Sequence, residues 1–137
     1  MSEHLYRYPA RLVEIIDGDT QDFEVDLGFK INRKMRIRLN NVDTAETYGV
    51  SHDSEEYKKG KEHTRFVAKW VNGVQDATDA EYPFILETFK DSTGKYGRYL
   101  AAVHARYSTD VILPGDEVVS DELTEALVNE YPEVLSE

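Results

Sequence analysis

Between Phe23 and Asn40 the chain alternates apolar and polar residues twice, and this constrains the fold more than any other feature. Phe23, Val25 and Leu27 alternate with Asp22, Glu24 and Asp26 before Gly28. Met35, Ile37 and Leu39 then alternate with Arg36, Arg38 and Asn40. A period of two sends one set of side chains to a core and the other to solvent, which predicts two half-buried strands. Leu12, Ile15 and Ile16, ahead of Asp17-Gly18-Asp19, read as an earlier strand that ends in a turn. Downstream, the β-rich runs from Tyr82 to Phe89 and from Tyr99 to Ala105 flank Asp91-Ser92-Thr93-Gly94 and predict a hairpin.

One long amphipathic segment separates these groups. With Asp53 or Ser54 as its cap, the spacing predicts a helix over 54–72. His63, Phe66, Val67, Trp70, Val71 and Val74 fall on one face, and Gly73 reads as the stop. Val111 to Leu113 and Val118 to Val119 flank Pro114-Gly115. Ser120 then caps a short helix through Leu123, Leu127 and Val128, closed by Pro132. Three strands, a helix, two strands and a short helix, all tightly connected, predict a mainly β α+β chain. The architecture that fits is a five-stranded Greek-key barrel.

The 137 residues suffice for one domain with its own core, and 40% apolar residues supply the side chains for it. With no cysteine, disulfides, thiolate zinc sites and a cysteine nucleophile are excluded, so any metal must sit on Asp, Glu or His. The start MSEHLYRYPARL lacks the apolar region of a secretory signal, and no apolar run approaches the roughly 20 residues of a membrane span. A cytoplasmic, intracellular protein away from membranes is expected.

The net charge of −11 is unevenly spread. Residues 101–137 carry nine acids and one base, whereas residues 1–100 are nearly balanced. A field of this sign does not steer a protein toward polyanions, so nucleic-acid binding requires a local basic groove or a metal. The acidic tail suits a salt-adapted host or its virus, a cover for a site or a basic partner, or a solubilising surface.

Three short motifs fall where strands end, which is where a rigid scaffold can hold reactive side chains. Ile16-Asp17-Gly18-Asp19-Thr20 sets two carboxylates beside a glycine turn. Arg38-Leu39-Asn40-Asn41-Val42-Asp43-Thr44-Ala45-Glu46 adds a guanidinium and two more carboxylates. Lys95-Tyr96-Gly97-Arg98-Tyr99-Leu100-Ala101 adds a second guanidinium. Each alone is commonplace: a solvated turn, a solvent-facing arginine, an Asx turn or a hairpin. Together they supply oxygen ligands for a hard cation, a base, and two groups that match phosphate bidentately.

In that combination the chain resembles the thermonuclease family, the staphylococcal-nuclease-like OB-fold nucleases, over roughly residues 8–130. The family carries Ile-Asp-Gly-Asp-Thr, Arg-Leu-x-x-Val-Asp-Thr-Pro-Glu and Tyr-Gly-Arg-x-Leu-Ala in this order. The resemblance implies a Ca²⁺-dependent endonuclease that cleaves DNA and RNA by water attack at phosphorus and leaves 3′-phosphate ends. Asp19 and Asp43 would be the carboxylate ligands, Thr44 would offer its carbonyl, and Asp17 would orient the metal's water. Glu46 would activate the attacking water, and Arg38 and Arg98 would bind the scissile phosphate. Lys95 and Tyr96 would lie against substrate. Single-stranded or unpaired nucleic acid, gripped with little sequence specificity by a monomer, is the expected partner.

Two departures stand out. Ala45 replaces the family's proline before Glu46, removing a φ restraint, and the family's last helix is missing or replaced. The missing helix and the adverse net charge keep a rival open, a catalytically weak OB-fold module that binds nucleic acid or protein. The four histidines lack metal-ligand spacing, Trp70 reads as core, and Arg33, Lys34, Arg36, Lys58, Lys59 and Lys61 read as solvated charges or groove contacts.

Overall fold

The computed structural model describes residues 6–93 and 99–136. Its core element is a closed five-stranded barrel built from β1 (Arg7–Asp17), β2 (Thr20–Asp26), β3 (Asn32–Leu39), β4 (Phe84–Thr93) and β5 (Tyr99–Ala105). The strands run in the order β1-β2-β3-β5-β4 around the barrel, with β1 closing on β4. All neighbours are antiparallel except β3 and β5. That order, with a helix between β3 and β4, is an OB-fold-like barrel, as the alternation predicts. Strand β1 is long because it serves both sides: Arg7 to Ala10 face β4, whereas Ala10 to Asp17 face β2. Irregularities after Leu12 and Ile15 bend it between the two partners.

The alternating residues fall as expected. Phe23, Val25, Ile37, Leu39, Phe84, Leu86, Ala101 and Val103 are all buried inside the barrel. Helix α1 (Glu55–Asp76) starts at Ser54, whose side chain accepts the Tyr57 N–H, and buries Phe66, Val67, Trp70, Val71 and Val74. Trp70 stacks on Phe84, and its indole N–H donates to the Ser120 carbonyl at 2.9 Å. Burying a large apolar side chain contributes about 1.5–3 kcal/mol, so this face is what fixes α1 to the barrel.

Three local expectations are corrected. The helix does not stop at Gly73 but runs on to Asp76. A methyl group on Gly73 would lie 2.7 Å from the Ile112 carbonyl oxygen, so the glycine makes room for a neighbouring strand. That neighbour belongs to a small hairpin, β6 (Asp110–Ile112) and β7 (Val118–Ser120), which the Pro114-Gly115 turn connects. Helix α2 (Leu123–Glu130) is capped by the Glu122 carboxylate rather than by Ser120, whose hydroxyl accepts the Glu122 N–H instead. Finally, Asp91 to Thr93 extend β4 instead of turning. After α2 a 3₁₀ turn at Pro132–Val134 brings the chain back to β3. There Val42 bridges Leu135, the Asp43 N–H donates to the Val134 carbonyl, and the Ser136 N–H donates to the Asn41 carbonyl. Among the described residues no helix is long and apolar enough to cross a membrane.

Candidate active site

Asp19 and Arg38 meet because of strand register. Thr20 opens β2 directly opposite Arg38 on β3, and the Asp19 carbonyl accepts the Leu39 N–H at 2.8 Å, carrying the ladder one residue into the turn. Beyond β3 the chain reverses at Asn41, which adopts a left-handed φ of 68° that asparagine tolerates. Val42, Asp43 and Thr44 then fold back over Arg38. The Thr44 N–H donates to Asp19 Oδ2 at 3.1 Å, tying the first motif to the second across 25 residues. Gly18 permits the approach: a methyl group there would lie 2.8–2.9 Å from three atoms of the Thr44 side chain.

Arg38 is the hub. Its side chain is only 17% exposed. Nη1 donates to the Leu39 carbonyl at 2.9 Å and to the Val42 carbonyl, while Nη2 donates to Asp43 Oδ1 and lies 3.5 Å from Asp19 Oδ2. One guanidinium nitrogen thus lies between the two predicted ligand carboxylates. The Asp43 side chain is 73% exposed, so its ion pair with Arg38 is easily exchanged for another anion.

The carboxylates divide their charge unequally. Burial, with the hydrogen bond to Asp19 and the Asp19 and Glu46 charges, pushes Asp17 up to about 7. Burial would raise Asp19 too, but the hydrogen bond from Asp17, the Arg38 charge, the Thr44 N–H and the Thr20 hydroxyl together hold it low. One arginine does not neutralise this cluster, and uncompensated carboxylates at a barrel rim attract a cation. Hard oxygen donors on Asp17, Asp19, Asp43 and the Thr44 carbonyl suit Ca²⁺. The buried Thr44 hydroxyl oxygen, which has no hydrogen-bond partner among the described residues, adds one more oxygen. No preformed cluster of three or more metal-ligating side chains occurs among the described residues.

Glu46 is exposed beside this cluster, close enough for its charge to act on Asp17, and its N–H reaches Glu56 Oε2 at 3.4 Å. Asp17, Asp19, Arg38, Asp43 and Thr44 are therefore brought together, with Glu46 alongside. Lys95, Tyr96 and Arg98 lie outside the described residues. The cations that read as solvated charges or groove contacts are partly committed elsewhere: Arg36 makes a two-pronged pair with Asp22, Lys34 lies 3.9 Å from Asp22, and Lys59 lies 3.5 Å from Glu133.

The structure adds residues that the motifs do not reveal. Gln21 is fully buried and donates to the Asp17 and Gly18 carbonyls, holding the first turn from inside the barrel. Its signal is a polar residue at a position where the alternation demands an apolar one. Gly60 of α1 lets the loop after Thr44 lie on the helix, and His63 accepts the Ala45 N–H. The latter contact has no local sequence signature. Compared with models of known protein families, the chain matches none. What stands is the class that fold and site define: an OB-fold-like barrel with an aspartate-arginine cluster at the mouth of its first turn.

Proposed function

We propose that the protein is a metal-dependent phosphodiesterase, an endonuclease that hydrolyses DNA and RNA by water attack at phosphorus with Ca²⁺ as cofactor. The observation that carries this reading is the convergence of Asp19, Arg38, Asp43 and Thr44 from two separate motifs onto one point. Structural stability alone does not call for two carboxylates from separate motifs around one guanidinium, whereas phosphoryl transfer needs both charges there. Asp19, Asp43 and the Thr44 carbonyl would hold the cation, with Asp17 orienting its water. A Ca²⁺ ion bound there supplies Lewis-acid polarisation of a non-bridging phosphate oxygen.

The chain's own groups do the rest. Arg38 exchanges its exposed Asp43 partner for the phosphate and meets the charge that develops on the equatorial oxygens. Glu46, exposed to water beside the cluster, takes the proton of the attacking water. The family resemblance adds Arg98 as the second phosphate ligand, Lys95 and Tyr96 as substrate contacts, and 3′-phosphate products. A single-stranded or unpaired, sequence-nonspecific substrate, bound by a monomer, belongs to the same reading.

The test is cleavage of denatured DNA and of RNA with Ca²⁺ or with EDTA, comparing wild type with Glu46→Gln, Arg38→Ala and Arg98→Ala. Ca²⁺-dependent cleavage lost in each variant supports the assignment, and a fully active variant removes the role given to its residue. One observation favours a second reading: Arg38 already makes three hydrogen bonds and one further ion-pair contact, at 3.5 Å, within the chain. Those internal contacts suit a binding module in which Arg38 is structural, and tight association without cleavage in the presence of Ca²⁺ would select it.

A further inference from the structure

The segment carrying Glu46 is held to α1 at two neighbouring points. At Gly60 the missing side chain admits the loop, since a methyl group there would lie 2.7 Å from the Ala45 carbonyl oxygen and 3.0 Å from that of Glu46. One turn further along, His63 Nδ1 accepts the Ala45 N–H at 3.2 Å. The imidazole is held by packing, and its buried Nε2 has no hydrogen-bond partner among the described residues. It is 2% exposed, its ring sits edge-on to Tyr131 at 4.8 Å, and Nε2 lies 3.6 Å from Glu133 Oε2. Only the neutral tautomer with its proton on Nε2 leaves Nδ1 free to accept. Burial, which lowers the His63 pKa against the opposing pull of Glu133, favours that neutral form.

Glu46 has no comparable anchor of its own. Its side chain is exposed, and its N–H makes one long bond to an exposed carboxylate. The backbone leading into it therefore decides where its carboxylate stands, and His63 holds that backbone at the Thr44–Ala45 peptide group, to which the Ala45 N–H belongs. A proline at position 45 would limit φ covalently. Alanine does not, and it supplies an N–H that proline lacks.

We propose that His63 is a positioning residue for Glu46: by accepting the Ala45 N–H it fixes the backbone immediately before the catalytic base. This rests on the reading of Glu46 as the base that activates water. His63 touches neither substrate nor cation and acts only through the loop. Its loss should lower kcat, through a misplaced base, and leave substrate binding alone, because a displacement of about 1 Å costs as much as 100-fold in rate.

His63→Asn and His63→Leu form the informative pair. The two side chains share the same branched skeleton of four heavy atoms beside Tyr131, but only Asn keeps an acceptor where Nδ1 stood. In Ca²⁺-dependent cleavage we expect His63→Leu to show a kcat about 10- to 100-fold below His63→Asn, with KM equal within twofold. Introducing Ala45→Pro into His63→Leu should recover most of the lost kcat, since proline removes the orphaned donor and restricts φ. The same change in wild type should bring no gain.

Equal kcat in the Asn and Leu variants, or a parallel change in KM, overturns the proposal. Wild type, His63→Leu, Ala45→Pro and the double variant are also unfolded in denaturant, where non-additivity between positions 45 and 63 reads the contact without any activity. Additive stabilities in an active enzyme overturn the anchor alone. A wild-type protein that cleaves nothing overturns the role of Glu46, and with it this proposal, whatever the stabilities show.

Discussion

Replacing Gly60 by alanine should destabilise the protein and cripple its active site, although glycine-to-alanine changes inside helices ordinarily stabilise. Gly60 lies in the first half of α1, and alanine there gains about 0.8–1.0 kcal/mol of helix propensity. Against that, the new methyl group would lie 2.6 Å from Thr47 Cγ2, 2.7 Å from the Ala45 carbonyl oxygen and 3.0 Å from that of Glu46. The threonine can rotate, but the two carbonyls are main chain and yield only if the loop moves. Overpacking of this kind costs about 1–3 kcal/mol. The balance is a net loss of up to about 2 kcal/mol, accompanied by displacement of residues 45–47.

The control is Gly73→Ala in the same helix, where a methyl group would meet the Ile112 carbonyl oxygen at 2.7 Å and Val111 Cγ1 at 2.8 Å. Both variants should melt earlier in urea. Only Gly60→Ala should also lose about 10- to 100-fold in kcat under conditions where both are folded, because only its clash falls on the loop that holds Glu46. A Gly60→Ala protein that is about 1 kcal/mol more stable and fully active would refute the packing of this loop against the helix.

Three further outcomes are expected. Arg38→Ala should cut kcat by about 100- to 1000-fold, the usual cost of one transition-state electrostatic contact. It should also lower stability in urea, since the Leu39 and Val42 carbonyls lose their donor. The His63 contribution to stability should be lost on acidification through the range below pH 6.5, opposite in sign to that of Asp17: His63, whose folded pKa is depressed by burial, takes up a proton on unfolding there, and its contribution is complete above that range and gone below the folded pKa. The groups facing it are Glu133, Lys59, Glu62 and Tyr131. In a urea-midpoint series against pH, His63→Leu should lack this contribution over this window, and an unchanged slope would contradict the assignment. Truncation after Tyr131 removes the Val134 carbonyl that accepts from Asp43 and the Ser136 N–H that donates to Asn41. Ca²⁺ affinity, measured by calorimetry, should weaken; unaltered affinity would show that the terminal strap does not shape the site.

The barrel was legible because its strands obey a period of two and its inward positions are almost all apolar. Phe23, Val25, Ile37 and Leu39 are where the alternation places them. The motif residues were legible as types, and Asp17, Asp19, Arg38, Asp43 and Thr44 do converge. What the sequence hid was the meaning of residues with two physical uses. Gly73 reads as a helix stop because glycine favours C-caps, yet it serves the approach of β6. His63 reads as one more residue of an apolar face, and its bond to Ala45 spans 18 positions with no periodic signature. The acidic tail reads as charge alone, whereas Pro132 to Ser136 clasp the loop after β3 through backbone bonds that any side chains can make.

The central claim is that the Asp19–Arg38–Asp43 cluster, served by Glu46, hydrolyses phosphodiesters with Ca²⁺. Its most direct test is cleavage of denatured DNA and of RNA by purified wild type and Glu46→Gln side by side, each with Ca²⁺ and with EDTA, from low salt to several molar. The expected result is cleavage by wild type with Ca²⁺ alone, abolished by EDTA and reduced at least 100-fold in Glu46→Gln. A wild-type protein that cleaves neither substrate at any salt concentration, or a Glu46→Gln protein as active as wild type, would contradict it.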